Sequence, residues 1–396
     1  MQEAVGLFKK NFGHTPTYHT RAPGRLEVLG NHTDYNNGLV MSVAVDKYIF
    51  IAASPRNDGK IELISSAFAD SEKFSISHIE PNPAAPWADY VKGVLAQLKK
   101  RGVHFGGFNA AIHSTIPMGA GMSSSAALEV ATAMTIRRLH PYSLTDTGIT
   151  TPPQANDRKE LPPVGPTERM NYAKLCRAAE NEFVGVPCGI LDQVSSLFGK
   201  SWHVMEIDCQ SLTVGYESLS GIAMVVCNSE VKHELVGGEY KELRENCEAA
   251  ARKLGVKFLR FVEPRQVLAA RDKLSPREFE CAYHVTTEIA RVVAGEKALR
   301  ANDIAQFGQY MFQSHESSRD FMKNSTRELD TLVELARQHP ACLGARLTGG
   351  GFGGATINMV KHHEVEGFTA HLTAGYEKKL GVKTKPLVCQ VVDGGN

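Results

Sequence analysis

The sequence predicts a two-domain protein in which strands and helices are mixed, and three observations carry that prediction. Its 396 residues exceed what one typical hydrophobic core accommodates. Apolar residues at Val43, Val45, Tyr48, Phe50 and Ile51, and again at Ile61, Leu63 and Ile64, have the alternation of half-buried strands. A strand over 110–114 runs through a Gly/Ser turn into a long helix, and beyond about residue 210 the pattern changes to a new strand followed by helices.

Taken in order, residues 1–20 open as a short amphipathic helix, with Val5, Phe8 and Phe12 on one face, and pass through Pro16 into a strand. An apolar strand over 26–29 is flanked by Arg25 and by the dense polar loop Gly30-Asn31-His32-Thr33-Asp34-Tyr35-Asn36-Asn37-Gly38. Such a loop offers many directed hydrogen bonds at once, which holding a polyhydroxylated ligand requires; a surface loop rich in turn formers has the same composition. Antiparallel strands joined by the turn Arg56-Asn57-Asp58-Gly59 fill the stretch from Met41 to Ile64. A helix opens at Pro86-Trp87 and ends near Gly102. Trp87 can stack on a planar base, although an aromatic at a helix start is more often core.

The segment around which the chain is organised is Pro117-Met118-Gly119-Ala120-Gly121-Met122-Ser123-Ser124-Ser125-Ala126. Gly119 and Gly121 permit positive φ and close approach of backbone to a ligand, and the serines can cap the helix that follows. Free N–H groups and the dipole at that helix start make an anion cradle, unless the glycines and serines merely punctuate a loop. It is no Walker A loop, because the Lys-Ser/Thr ending is missing.

The helix runs to about Leu139. Residues 140–167 contain six prolines and little apolar periodicity, so they read as an exposed insertion. A helix over 169–183 leads to Gly185-Val186-Pro187-Cys188-Gly189-Ile190-Leu191-Asp192-Gln193, where Asp192 is either a helix cap or a functional carboxylate. Beyond 210 come a strand at Ile222–Asn228, a helix over 239–254 and helices from about 276 to 338. The chain closes on a strand pair around Leu347-Thr348-Gly349-Gly350-Gly351-Phe352-Gly353-Gly354-Ala355-Thr356-Ile357. Five glycines in six residues allow a tight loop that can pack against a phosphate cradle, and a hairpin without a ligand is equally familiar.

Composition sets limits. A net charge of +1, from 44 basic and 43 acidic residues, argues against nucleic acid or a membrane surface as partner. Hydrophobic content of 42% with 22% charged residues is that of an ordinary globular protein. The start, Met1-Gln2-Glu3-Ala4, predicts no secretory signal, and no apolar run is long enough to span a membrane. Eight cysteines without a Cys-x-x-Cys pair predict reduced thiols in a cytoplasmic protein. Of fifteen histidines only His362 and His363 cluster in sequence, in a polar stretch.

In order and wording these stretches resemble the galactokinases of the GHMP small-molecule kinase family. Residues 24–38 look like the galactokinase signature, 117–127 like the ATP loop and 347–355 like the C-terminal glycine motif. Residues 179–193, 87–94 and 314–317 are also close to the family's wording. The resemblance covers nearly the whole chain except 140–167. It implies an α+β, two-domain GHMP kinase fold: a ribosomal-protein-S5-like α/β domain over 1–210 and a ferredoxin-like domain over 211–396, with the active site in the cleft between them. It implies transfer of the γ-phosphoryl group of ATP to the anomeric hydroxyl of a hexose, in a monomer or weak homo-oligomer. By position Asp192 and Arg25 match the catalytic pair. Asn31, His32, Asp34, Gly189 and Tyr240 match sugar contacts, and Trp87, Gly119, Gly121, Ser123, Ser124 and Ser125 the ATP site. Ser125 and Glu180 match groups that hold Mg²⁺, whose usual ligands are oxygens.

Two departures bear on the substrate. Family members similar to this chain usually carry Glu at the position of Asn31, near the sugar's primary hydroxyl. Losing that charge would relieve repulsion towards a uronic acid, or Asn31 would simply hydrogen-bond galactose instead. Residues 321–325, Phe-Met-Lys-Asn-Ser, stand where the family more often has a Tyr-Glu-Val-Ser run. The resemblance therefore leaves galactose first and galacturonic acid second, with a sugar- and ATP-binding regulator lacking turnover as a third reading.

Overall fold

A computed structural model describes residues 1–68, 70–117, 119–150, 162–230 and 236–395. Helix α1 (Gln2–Phe12) stops at Gly13, which takes a left-handed φ of 74°. Its Phe8 packs on Phe50, Ala52 and Ile64 of the sheet below. The two longest strands, β1 (Tyr18–Leu29) and β2 (Leu39–Arg56), pair antiparallel. β1 thus extends well upstream of the apolar 26–29 stretch that marks it in the sequence.

After β3 (Lys60–Ser65), β4 (Glu72–Ser75) and α2 (Pro86–Lys100), the chain enters β5 (Gly107–Ser114). The turn at 56–59 reverses the chain, but β2 and β3 do not form the expected hairpin. β5 lies between them, antiparallel to β2 and parallel to β3. Six consecutive buried residues suit β5 to that central place better than either strand beside the turn. Gly107 admits the close approach, since a Cβ there would collide with the Lys60 carbonyl oxygen.

Helix α3 (Ser124–Leu139) is buried over most of its length and packs on β1 and β2. The following segment is less exposed than its prolines predict. Tyr142 and Leu144 enter the main core, and β6 (Ser143–Leu144) pairs with β7 (Ile149–Thr150). Residues 151–161 of the expected insertion lie outside the described residues. Helix α4 (Pro166–Ala178) begins at Pro166, a residue suited to a first helical position, and continues as a π-helical turn, Ala179–Val184. Then follow α5 (Leu191–Phe198), β8 (His203–Asp208) and β9 (Thr213–Ser218). The first sheet has the order β4-β3-β5-β2-β8-β9, with β1 joined to β2. Because β8 and β9 pair with each other, we draw the division between the halves after Ser218 rather than at 210.

The second half begins with β10 (Ile222–Asn228), α6 (Val236–Lys253), α7 (Pro264–Ala269), α8 (Pro276–Arg300) and α9 (Ile304–Ser317). A π-helical turn, Ser318–Met322, leads to α10 (Arg327–Gln338), then β11 (Cys342–Thr348) and β12 (Ala355–Lys361). The chain does not close on that pair, as the sequence suggested. It adds α11 (Val365–Leu380) and β13 (Leu387–Cys389), giving an antiparallel sheet of order β11-β12-β10-β13. Strand, helices, hairpin, helix and strand in that order make the β-α-β-β-α-β plan of a ferredoxin-like domain. The tail then crosses back, with Val391 bridging Val45 and Gly395 N–H donating to the Ser196 carbonyl at 2.7 Å. All eight cysteines are free thiols, and among the described residues no helix is long and apolar enough to cross a membrane.

Candidate active site

Alternation along β1 sends Leu26 and Val28 into the core, so Arg25 and Glu27 face the other way, towards the cleft. Arg25 Nε donates to Asp192 Oδ1 at 2.7 Å, and its Nη1 to the Gly121 carbonyl at 2.5 Å. Asp192 is not a cap: Ile190 occupies that position and Asp192 lies in the first turn of α5. Ser123 Oγ donates to the second Asp192 oxygen. One carboxylate is thereby held between the arginine of β1 and the turn before α3, while its side chain stays 25% exposed. Gly24 allows the strand and turn to touch, since a Cβ there would meet the Met122 carbonyl oxygen at 2.8 Å.

Gly119 and Gly121 take φ of 72° and 65°, as a tight turn demands. The expected capping serine is absent. Ser123 sits at the cap position with φ of 55°, but its hydroxyl is spent on Asp192 and makes no bond to the helix. The N–H groups of Ser124, Ser125 and Ala126 therefore open α3 without a side-chain cap, the arrangement that favours an anion. Trp87 opens α2 and lies parallel to Phe68, with ring centres 5.5 Å apart.

Behind Asp192 lies a buried acidic group. Glu180 Oε2 accepts from Gln193 Nε2 at 2.8 Å and from the Cys188 thiol at 3.3 Å, and the Ser125 hydroxyl lies near enough to draw the Glu180 carboxyl down. The same Gln193 nitrogen reaches Glu129 Oε2 at 3.1 Å, leaving Glu129 Oε1 buried without a partner. Burial and then Asp192 push the Glu180 carboxyl up; burial and then Glu180 push Glu129 well up. A hydroxyl and hard carboxylate oxygens that lack a cation are a donor set that fits Mg²⁺. Among the described residues no three His, Cys, Asp or Glu side chains converge on one point, so such an ion would complete its shell with phosphate and water oxygens.

Next to Asp192 a cavity of about 680 Å³ is lined by Arg25, Glu27, Asn31, His32, Asp34, Glu180, Cys188, Gly189, Asp192, Tyr240, Lys241, Gly349 and Gly350. The five predicted sugar residues thus meet in one place. Gly189 makes room for Asp34, because a Cβ would lie only 2.9 Å from the Asp34 Cβ and closer still to its carboxylate. Burial, followed by the charge of Glu27, raises the Asp34 carboxyl to about 7. His32 is kept neutral, pushed down to about 3 by burial and by neighbouring His284. Its Nδ1 lies 2.9 Å from the Tyr35 hydroxyl, and its ring centre 5.2 Å from that of Tyr240.

Asn31 behaves differently from expectation. Its Nδ2 donates to Glu27 Oε1 at 3.1 Å and to the Gly349 carbonyl at 2.8 Å. Its Oδ1 accepts from Asn324 Nδ2 at 3.0 Å and Ser318 Oγ at 3.3 Å. An amide side chain offers two donors and two acceptors, so Asn31 has none left for a sugar hydroxyl or a uronate. The two departures noted in the sequence, at 31 and within 321–325, are bonded to each other. Glu27 and the fully buried Arg346 were missed by motif reading, and Asn324 was noted only within the departure at 321–325; alternation along β1 was the one available signal for the missed pair, and it applied to Glu27 alone.

The galactokinase galactose-binding signature matches residues 6–55, the GHMP kinase N-terminal domain 89–151 and the GHMP kinase C-terminal domain 296–378. A galactokinase of Chloroflexus aurantiacus is 39% identical over 388 residues, covering 96% of this chain and 94% of that one. The human galactokinase is 37% identical, covering 95% and 92%. The chain belongs to the galactokinase family. Lactococcus lactis galactokinase, solved with galactose, superposes with a TM-score of 0.89 at 28% identity over 99% of this chain and 98% of its own. A mevalonate kinase shares the fold alone, with a TM-score of 0.64 at 19% identity over 95% of this chain and 100% of its own. In this member of the family an arginine–aspartate pair borders the cavity and a saturated amide stands at position 31.

Proposed function

We propose that the protein transfers the γ-phosphoryl group of ATP to the anomeric hydroxyl of galactose, giving galactose 1-phosphate. The observation that carries this reading is the Arg25–Asp192–Ser123 contact, which joins the sugar cavity to the helix start that suits a phosphate. The anomeric hydroxyl gives its proton to Asp192 as its oxygen attacks the γ-phosphorus. Arg25, directed by Asp192 and the Gly121 carbonyl, meets the charge that develops between the two substrates. The N–H groups at the start of α3 receive phosphate oxygens. Mg²⁺ bound with ATP would be held by Ser125 and Glu180 and would neutralise phosphate charge. Since phosphoryl transfer depends mainly on positioning and electrostatics, a fixed carboxylate and a fixed cation suffice on the protein side. Eight free thiols suit the cytoplasm, where ATP is abundant.

The test is ADP release from Mg-ATP with galactose, beside Asp192→Asn. Replacing the base should lower kcat by about 10²–10⁴-fold while galactose and ATP still bind. Near-normal turnover by the variant would remove Asp192 from the role of base. No turnover by the unaltered protein, with both ligands bound, would favour a regulator.

A further inference from the structure

The sugar cavity contains a carboxylate oxygen to which no described residue donates. Glu27 Oε1 receives Asn31 Nδ2 and both terminal nitrogens of Arg346, each at 3.1 Å. Among the described residues Glu27 Oε2 has no donor, yet it is not among the sealed-off unpaired atoms, and Glu27 lines the cavity. The orientation of the neighbouring amide is fixed, because both partners of Asn31 Nδ2 are pure acceptors. The donors that reach Glu27, Asn31 Nδ2 and the two terminal nitrogens of Arg346, are all directed at protein atoms, and Arg346 Nε, though unpaired, is buried away from the cavity. What remains is an acceptor, and it calls for a donor from the ligand.

Position along β1 indicates which part of the sugar would supply it. Arg25 and Glu27 are two residues apart on an uninterrupted part of the strand, a separation of about 7 Å. Arg25 marks the end of the cavity at which Asp192 awaits the reacting hydroxyl. Glu27 is thus about one pyranose ring away, opposite the hydroxyls nearest the anomeric carbon. Resting on the sugar-kinase reading above, we propose that Glu27 Oε2 accepts a hydrogen bond from a hydroxyl on the far side of the hexose and excludes a carboxylate from that corner. The specificity expected of position 31 is exercised by Glu27, with Asn31 and Arg346 holding it in place. A uronate there would set acceptor against acceptor. Lys241, the cation at the rim, is directed outward, 3.8 Å from Glu245 with its side chain 70% exposed.

The experiment compares galactose, 4-deoxygalactose, 6-deoxygalactose and galacturonic acid as acceptors for the unaltered protein and for Glu27→Gln, which keeps an oxygen for Arg346. In the unaltered protein one far-side deoxy sugar should lose about 10- to 100-fold in kcat/KM, and galacturonic acid more. In the variant galactose should fall by a similar factor, mostly through KM, while that same deoxy sugar changes less than about threefold, so the preference collapses. An equal fall for galactose and both deoxy sugars would make Glu27 purely structural and overturn the proposal. So would a preference of the unaltered protein for galacturonic acid, a result that needs no variant. Failure of all four sugars would instead defeat the kinase reading itself.

Discussion

At the scale of single residues, Asp34 and Gly189 show how a site is made by withholding a side chain. The Asp34 carboxylate occupies the space where a Cβ on residue 189 would be, and in that dry corner its carboxyl is raised to about 7 by burial and by Glu27. An acid whose folded pKa lies above its ordinary 3.8 binds more protons in the folded than in the unfolded state. Its contribution to stability is full below the ordinary value and is lost as pH rises towards 7. Asp34→Asn should therefore stabilise the protein at pH 8, by about 1–2 kcal/mol once water in the cavity is allowed for, and do little at pH 4. Thermal melts at the two pH values would show it; equal shifts at both would contradict it. The same variant should raise KM for galactose about tenfold, and the unaltered protein's KM should fall as pH rises through 7, because the ionised carboxylate is the better acceptor.

At the scale of elements, the glycine loop between β11 and β12 is the piece that closes the site. The Gly349 carbonyl accepts from Asn31, a Cβ added at Gly350 would lie 3.4 Å from the Tyr240 ring, and Phe352 N–H donates to the Asn324 carbonyl at 2.6 Å. Gly351 is the tightest point: it has φ of 83°, and a Cβ there would be 2.9 Å from the Asn324 Cβ and nearer still to that residue's carbonyl oxygen. Gly351→Ala should destabilise by about 2–4 kcal/mol and raise KM for galactose, as the loop must leave Asn31 to make room. Gly221→Ala is the control. Its φ of 78° is also left-handed, but nothing lies within 4 Å, so about 1 kcal/mol is expected. Equal effects in chemical denaturation would mean that backbone strain, not the contact with Asn324, sets the demand. The glycines were visible in the sequence, and so was the departure at 321–325, but that Asn324 of that stretch meets the glycine loop was not, because nothing local links positions so far apart.

At the scale of the molecule, the two halves are joined through a buried charge. Glu288 on α8 accepts from the N–H of Gly30 at 2.9 Å, Ser314 Oγ at 2.6 Å and Arg291 Nε at 2.7 Å. Burial alone would raise its carboxyl, yet Arg291, Arg346 and His284 hold it well below the ordinary 4.5. A depressed carboxyl adds stability that is present above pH 4.5 and lost as pH falls below it. Glu288→Gln should cost about 3–5 kcal/mol at neutral pH, where it leaves Arg291 partly uncompensated, and progressively less in acid. Denaturation midpoints between pH 7 and 3 would test this; a pH-independent loss would refute the linkage.

Much was legible in the sequence. Spacing within a strand or a helical turn is set by covalent geometry, so the alternation of β1, the left-handed glycines before α3 and the polar loop from 30 to 38 were all readable locally, and it was the resemblance of these stretches to galactokinase motifs that implied the α+β kinase fold. Which strand lies beside β3, which hydroxyl caps nothing and which acceptor is left free were decided only by tertiary structure. Asn31 is saturated by Ser318, Asn324 and Gly349, at 287, 293 and 318 positions' remove. Hydrogen-bond capacity is finite, and its allocation among distant groups exists only once the chain has brought them together.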